Sequence, residues 1–556
     1  MLREQIRDDI AKEVDRIVGK WDGRVEVMRT SDAKFGDYTT NVALRLTPFA
    51  QGKPLEETKV FKISGSYQSS LEFARVLADR LKDQPYVEKL EVAGPGFINF
   101  FIKSEVWQKE VEEVLKKGSK FGSNTTGKGK KARVEFVSAN PTGPLHFGNA
   151  RGGPIGDALA SVLEFYGYKV IREYYHNDVG GQVRKLGEAI INVSKGQRLE
   201  DQEYKGEYVQ DLASNISKPG LKVNAKTIGD KAVDILLEEI LKDCGAMGIK
   251  FDEIFPESKF IESGKTEEAI KKLDKKGLIK DQEGATWFAP NDEFFKDRET
   301  VVKKSDGSYT YFANDIAYHD LKFKDGPDLV IDVFGANHHG HVPRLQAVIG
   351  ALDHDVSKFH VILYQWVRFK RGGELMAMSK RSGTFVTARE VLDEVGKDAL
   401  RFFILMYDPN SDIDFDLALA IKKSKDNPVY YVQYAHARIC SILSKSVHEP
   451  GLKIPSKPGS GKANWQLLTT NYELELIKQI TRLPELVSDI GASFAVHRLT
   501  GYATDLADSL HRFYENCRVI GEKEDLMRAR IGLVMATKTA LANTLKLLGI
   551  TAPEKM

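Results

Sequence analysis

The chain has 556 residues, 42% hydrophobic and 29% charged, a composition ordinary for a globular enzyme but too long for one core, so about three or four domains are expected. A formal net charge of +2 excludes an all-over basic coat but not a local basic face. The three cysteines, Cys244, Cys440 and Cys517, are too scattered for a disulfide framework or a cysteine-based zinc site, and they fit a reducing compartment.

Residues 1–110 read as a compact α/β domain. Ile6, Ile10, Val14 and Ile17 have helical spacing, Val25 to Met28 reads as a strand, and Leu71, Val76, Leu77 and Leu81 form a second helix. The runs Leu90 to Ala93 and Phe97 to Phe100 are strand-like and flank a Gly94-Pro95-Gly96 turn. Residues 116–131, rich in Lys, Gly, Ser and Thr, read as a solvated connector or, alternatively, a basic strip touching RNA backbone.

A second domain, 111–395, starts with a strand through Val134 and Phe136, then a turn at His146, then a helix with Ile155, Leu159, Val162 and Leu163 on one face. A further strand follows, Lys169 to Tyr175, and strand, crossover helix and strand at this spacing imply a Rossmann-like parallel sheet. Leu329 to Phe334 and His360 to Leu363 add strands. The charged stretch 190–300, with helical Ile228, Ala232, Leu236 and Ile240, reads as an insertion. From 396 to 556 the pattern turns helical and predicts an all-α bundle. No run approaches the roughly 18 to 20 apolar residues of a membrane span, and Met1 to Asp9 has no apolar leader, so the expectation is a cytoplasmic protein without membrane contact.

Two separated segments carry the chemistry. Asn140-Pro-Thr-Gly-Pro-Leu-His146-Phe-Gly148-Asn149 links a strand to a helix, and Met378-Ser379-Lys380-Arg381 lies in a polar stretch between Gly373 and Gly383. A movable cationic loop facing a glycine-opened helix N-terminus suits ATP held for attack at its α-phosphate. Taken alone, His146 would be a turn residue and Lys380 a surface lysine; the pairing of the two segments is what raises them.

Both segments resemble the signature pair of class I aminoacyl-tRNA synthetases, and their surroundings resemble the arginyl-tRNA synthetase family in its bacterial style. The likeness extends to Lys34–Asn41, Ala93–Asn99, Glu135–His146, Tyr174–Asp178, Tyr309–His319, Gly335–Arg344, Asp426–Arg438 and Leu548–Met556. It implies ATP-dependent ligation of L-arginine to tRNA(Arg) by a monomer, with Mg2+ arriving on ATP, no structural metal and no DNA partner. It assigns catalysis to His146, Asn149, Lys380 and Arg381, and ATP binding to His146, Gly148, Asn149, Met378, Ser379 and Lys380. Tyr311 and Asp315 would hold the guanidinium, Glu135 and Asn140 would orient the substrate, and Asn337 or His338 would touch arginine or ribose. Phe35, Asn41, Tyr434, Arg438, Tyr502, Phe513, Tyr514 and Met556 would meet tRNA.

Two positions depart from the family pattern: Asn149 stands where the first signature ends in histidine, and Ala377 where the second begins with lysine. They motivate an alternative, a non-catalytic tRNA-binding protein derived from a synthetase. A synthetase for another amino acid, such as cysteine, is disfavoured by the absence of a zinc ligand set; His338, His339 and His341 cluster, but without a Cys or Asp to complete one.

Overall fold

The computed structural model describes residues 1–21, 23–46, 69–216, 224–290, 299–375, 386–446 and 463–556. They divide into two compact units, one of Met1–Phe121, Ile439–Glu485 and Asp508–Ala540, the other of Gly122–Arg438, Leu486–Ala507 and Leu541–Met556. The helical residues after 396 are therefore shared between both units.

In the first unit the helix Leu2–Val18 buries Ile6, Ile10 and Val14 completely, as their spacing requires. An antiparallel sheet runs in the order Met28–Arg29, Tyr38–Thr40, Phe97–Ile102, Val87–Ala93. The expected strand at Val25 pairs only from Met28 onward, although Val25 and Val27 are buried. The Gly94–Gly96 turn needs its glycines, since both have positive φ and a Cβ on Gly96 would lie 2.9 Å from the Ser70 carbonyl oxygen. A helix absent from the sequence reading, Ser104–Lys117, buries Trp107, Val111 and Val114. Arg29 ties this unit together: its Nε bonds Glu485 at 2.7 Å, its Nη1 bonds the Lys478 carbonyl at 2.8 Å, and its guanidinium covers the rings of Tyr38 and Trp107.

The second unit is built on a five-stranded parallel sheet in the order Phe359–Tyr364, Leu329–Gly335, Lys131–Phe136, Lys169–His176, Glu253–Pro256. Two of its inner strands, Lys131–Phe136 and Leu329–Gly335, are buried over most of their length, as strands inside a parallel sheet are. The helix Gly152–Phe165 is buried almost all round and packs against the middle strand, where Gly156 leaves room for Phe136; a Cβ there would be 2.2 Å from the ring.

One register position of this sheet is acidic on four adjacent strands: Asp332 pairs with Glu135, Glu135 with Glu173, and Glu173 with Glu253. Bare carboxylates so placed would split the sheet, and buried cations hold them. Lys322, 1% exposed, bonds Asp332 at 2.5 Å and also Glu135. Arg133 bonds Glu173 and reaches Glu253 at 2.9 Å, while Tyr318 donates to Glu173 at 3.1 Å. Burial alone would lower the Lys322 ammonium, but Asp332, Glu135 and Glu173 outweigh it and hold it above its usual range.

Within the stretch expected as an insertion, helices Gly181–Ser194, Tyr208–Ile216 and Ala225–Ala246 share a core of Leu186, Ile190, Val209, Ile228 and Leu236. Two of them touch through glycine: a Cβ on Gly187 would fall 1.8 Å from the Ala225 carbonyl oxygen. The chain then returns to the main sheet as its edge strand Glu253–Pro256, forms a three-stranded antiparallel sheet over Ile279–Lys303, and enters the helix Tyr311–Lys324, capped by Thr310.

The pattern after 395 is not wholly helical. Ile413–Asp416 is a strand paired in parallel with Val367–Arg371, too short for its Ile413/Phe415 alternation to stand out between helices. From Pro428 to Leu548 the described regular structure is helical. Fully buried Arg401 locks the chain's end to this unit, donating to the Leu548 and Met247 carbonyls and to Asp157 at 2.7, 3.1 and 2.6 Å. Among the described residues no helix is long and apolar enough to cross a membrane.

Candidate active site

The site lies where parallel sheets place ligands, beyond the C-terminal ends of the strands. The middle strand ends at Phe136, and Val137 and Ser138 then take positive φ of 69° and 39°, a conformation L-residues adopt only when their surroundings enforce it. The enforcement comes from the next strand. Ser138 Oγ accepts from the Tyr175 N–H at 3.1 Å, Asn140 Oδ1 accepts from the Asn177 N–H at 3.1 Å, and the Tyr174 hydroxyl donates to the Ala139 carbonyl at 2.6 Å. Asn140 is exposed, and with its oxygen so used its side-chain amide has its N–H donors left to offer a ligand.

His146 caps the short helix Phe147–Ala150, its Nδ1 accepting from the Gly148 N–H at 2.8 Å. That bond fixes the tautomer: Nδ1 carries the lone pair, so the ring proton sits on Nε2, a donor. It also explains Gly148, where a Cβ would stand 2.9 Å from Nδ1. The backbone of His146 pairs with that of Thr387.

A cavity of about 280 Å³ opens between the His146–Asn149 turn, the Gly335–Asn337 turn and Tyr364–Trp366. Tyr364 donates to the Asn149 carbonyl at 3.3 Å. Beneath the cavity lies Arg151, fully buried, which the sequence reading did not single out. It pins the wall by donating to the carbonyls of Gln365 and Ser411 at 2.6 and 2.8 Å, and burial pulls its guanidinium down to about 10.

The second group of expected residues centres on the helix Tyr311–Lys324. Tyr311 and Asp315 stand one turn apart on it, Tyr311 exposed and Asp315 half-buried. Asp315 Oδ2 is 2.9 Å from His341 Nε2, and the Asp315 carbonyl is held at 2.8 Å by His319 Nδ1, whose Nε2 reaches Asp332 at 2.9 Å. Asn337 borders the cavity, and the ring of His338 lies 6.4 Å from that of His341, so these side chains run from the cavity to Asp315. Burial and the neighbouring His341 hold His338 below its usual range.

Several expectations need correction. Glu135 does not line the pocket: it is 3% exposed and bonded to Lys322, which places it under the site as part of the acidic row. Tyr502 and Phe513, 2% and 0% exposed, are core residues on the inner face of Arg498–Asn516, with Leu499, Leu506 and Leu510. The other residues expected at tRNA differ in exposure. Phe35, Tyr434, Tyr514 and Met556 are exposed; Arg438 bonds the Tyr434 hydroxyl at 3.2 Å, and Asn41 is half-buried. Met378, Ser379, Lys380 and Arg381, with Ala377, lie outside the described residues. Among the described residues no group of three or more His, Cys, Asp and Glu is placed to hold a metal ion.

Comparison with known proteins decides the family. Residues 4–102 match the family described as "Arginyl tRNA synthetase N terminal domain", residues 110–218 and 222–405 "tRNA synthetases class I (R), catalytic domain", and residues 432–556 "DALR anticodon binding domain". An "Arginine--tRNA ligase" of Geobacter sp. (strain M21) is 42% identical, covering 100% of both chains. The chain belongs to the arginyl-tRNA synthetase family. Another arginine--tRNA ligase, from Carboxydothermus hydrogenoformans, is 40% identical over 96% of this chain and 94% of its own. The solved "Thermus thermophilus arginyl-tRNA synthetase" shares the fold, with a TM-score of 0.78 at 23% identity over 100% of both chains. Membership fixes the architecture: an N-terminal α/β domain, a Rossmann-like catalytic domain and an all-α anticodon-binding domain. The departure at Asn149 falls on the exposed rim of the cavity, where an amide still offers a hydrogen bond but no charge.

Proposed function

We infer that this chain joins L-arginine to the 3′ end of tRNA(Arg) through an arginyl-adenylate, releasing pyrophosphate and AMP. The observation that carries the reading is membership of the family over the whole chain together with a half-buried carboxylate, Asp315, on the Tyr311 helix and bonded to His341. A planar cation calls for such a partner, with an aromatic neighbour such as Tyr311.

ATP takes the cavity, where Nε2–H of His146, the Asn149 amide and Asn337 supply neutral donors to ribose and phosphate oxygens. Arginine lies with its guanidinium at Asp315 and Tyr311. An oxygen of its carboxylate attacks the α-phosphorus, and the bond to the bridging oxygen breaks as pyrophosphate leaves. A hydroxyl of the tRNA 3′-terminal ribose then attacks the adenylate carbonyl carbon, expelling AMP. Both steps ask the protein for positioning and for cancellation of spreading negative charge. Lys380, with Arg381, is our candidate for meeting the leaving phosphates. The reading is supported by Thr387, which follows Lys380 by seven residues in sequence and pairs with His146. Mg2+ enters with ATP as part of the substrate, and the enzyme works as a monomer. Phe35, Tyr434, Arg438 and Tyr514 remain our candidates for contacts with tRNA.

The test is incorporation of labelled arginine into tRNA, which should require ATP and Mg2+. Folded protein that charges cognate tRNA no better than background would refute the reading.

A further inference from the structure

His341 is the one member of the Gly335–Arg344 turn bonded to the carboxylate assigned to the substrate. A carboxylate only accepts, so the shared hydrogen belongs to Nε2 of His341. The imidazole is fixed from several sides. Its ring stands across that of Phe312, with centroids 5.8 Å apart at 76°, the ring of His338 lies 6.4 Å away, and its backbone is held at the N-terminus of the helix Val342–Ala351. Asp315 is equally constrained, its main chain held by His319, which is anchored on Asp332. The pair is thus a preset arrangement: one carboxylate oxygen, Oδ2, is taken by the imidazole, and the proposal assigns Oδ1 to the guanidinium.

We propose that His341 is a positioning residue for arginine: neutral, its Nε2–H sets the Asp315 carboxylate for the guanidinium; protonated, it competes with the guanidinium for that carboxylate and weakens arginine use. The proposal rests on the reading that Asp315 takes the guanidinium.

The charged and titratable groups facing His341 are Asp315 from the Tyr311 helix, Asp332 from the sheet, His338 from the preceding turn and Arg344 from its own helix. Burial, with Arg344, disfavours its charged form, but Asp315 prevails and holds the imidazole above its usual range. His338 is held low, so His341 is the histidine of the pair that titrates first as pH falls. Below its pKa, arginine must share Asp315 with an imidazolium or displace its proton; above it, the imidazole is a neutral donor. The arginine KM should therefore fall as pH rises through this titration and then level off.

The experiment measures arginine KM at about pH 6 and about pH 8.5, with ATP and tRNA saturating, for the wild type, His341→Gln, His341→Ala and Asp315→Asn. Glutamine keeps an amide N–H but cannot titrate. A cation beside the binding carboxylate is worth about one pKa unit, a factor of ten. The wild-type arginine KM should thus drop roughly tenfold over this range. That of His341→Gln should stay within about twofold of the wild type's alkaline value at both pH values, and that of His341→Ala should be raised at both. If Asp315→Asn raises the arginine KM while His341→Gln keeps the wild-type slope, the role given to His341 is wrong and the pocket stands. An arginine KM unchanged in Asp315→Asn removes the pocket reading itself, and the proposal with it.

Discussion

The cavity at His146 and the pocket at Asp315 open at the same end of one parallel sheet, yet they are assembled on different electrostatic plans. The described lining of the cavity holds no lysine, arginine or carboxylate; it consists of a histidine locked as a neutral cap, amides, glycines and aromatic walls. The pocket is a carboxylate backed by histidines, and beneath it runs a row of four acids balanced by Lys322 and Arg133. A substrate that arrives with its own metal and many negative oxygens needs donors and one or two well-timed cations, whereas a cationic side chain needs an anion already desolvated and held in place. The contrast teaches that the two ends use buried charge differently: Arg151 beneath the cavity is spent on main-chain carbonyls of its wall, whereas Lys322 and Arg133 balance carboxylates.

The largest effect should come from Lys322. Replacing it with Met leaves Asp332 and Glu135 in the core without their cation, and the unfolding midpoint in urea should shift by the equivalent of about 3 to 5 kcal/mol. A shift worth less than about 1 kcal/mol would mean that the acidic row carries little of the sheet, and the contrast between the two ends would lose its base. Next is Lys380→Ala, which should leave the unfolding midpoint unchanged and cut arginylation kcat/KM by at least about 100-fold, or roughly 2.7 kcal/mol. A loss below about threefold would move the phosphate clamp to Arg381 or elsewhere. The smallest effect concerns Glu257, which accepts from Asn314 on the pocket helix and is pushed up to about 7 by burial, with Asp315 and Asp178 adding to it. The folded state therefore holds a proton that the unfolded chain has lost, so stability falls as pH rises from about 4.5 to about 7 and is level beyond. Glu257→Gln should remove this slope and exceed the wild type by about 1 to 2 kcal/mol at pH 8. Parallel pH–stability profiles of the two proteins would show that acids are not crowded around the pocket.

Most of the catalytic fold was legible because strands such as Leu329–Phe334 are apolar at every position but one, Asp332, and the first helix has a clear apolar face. The His146 turn and the Tyr311–Asp315 pair were legible as local spacing. What escaped depends on partners distant in sequence. Lys322 reads as a surface lysine until two adjacent strands bring Glu135 and Asp332 to it, and Glu135 reads as a ligand until Lys322 is seen to cover it. Tyr502 and Phe513 share one aromatic alphabet with exposed Tyr514, and only packing separates them. His341 lies 26 residues from Asp315, and local sequence weighs it only within the histidine cluster, which lacks the Cys or Asp of a metal site and gives no sign of a distant carboxylate partner.

The central claim, an anionic amino-acid pocket separate from a neutral nucleotide cavity, is tested most directly by Asp315→Asn, with arginine and citrulline compared at saturating ATP and tRNA. Asparagine keeps the volume and removes the charge, so arginine use should weaken by about 2 to 5 kcal/mol. The ATP KM should move by less than about threefold, and discrimination against neutral citrulline should narrow, because part of that discrimination is the Asp315 charge. An arginine KM and a citrulline discrimination both unchanged from the wild type would contradict the account and return Asp315 to a structural partner of His341.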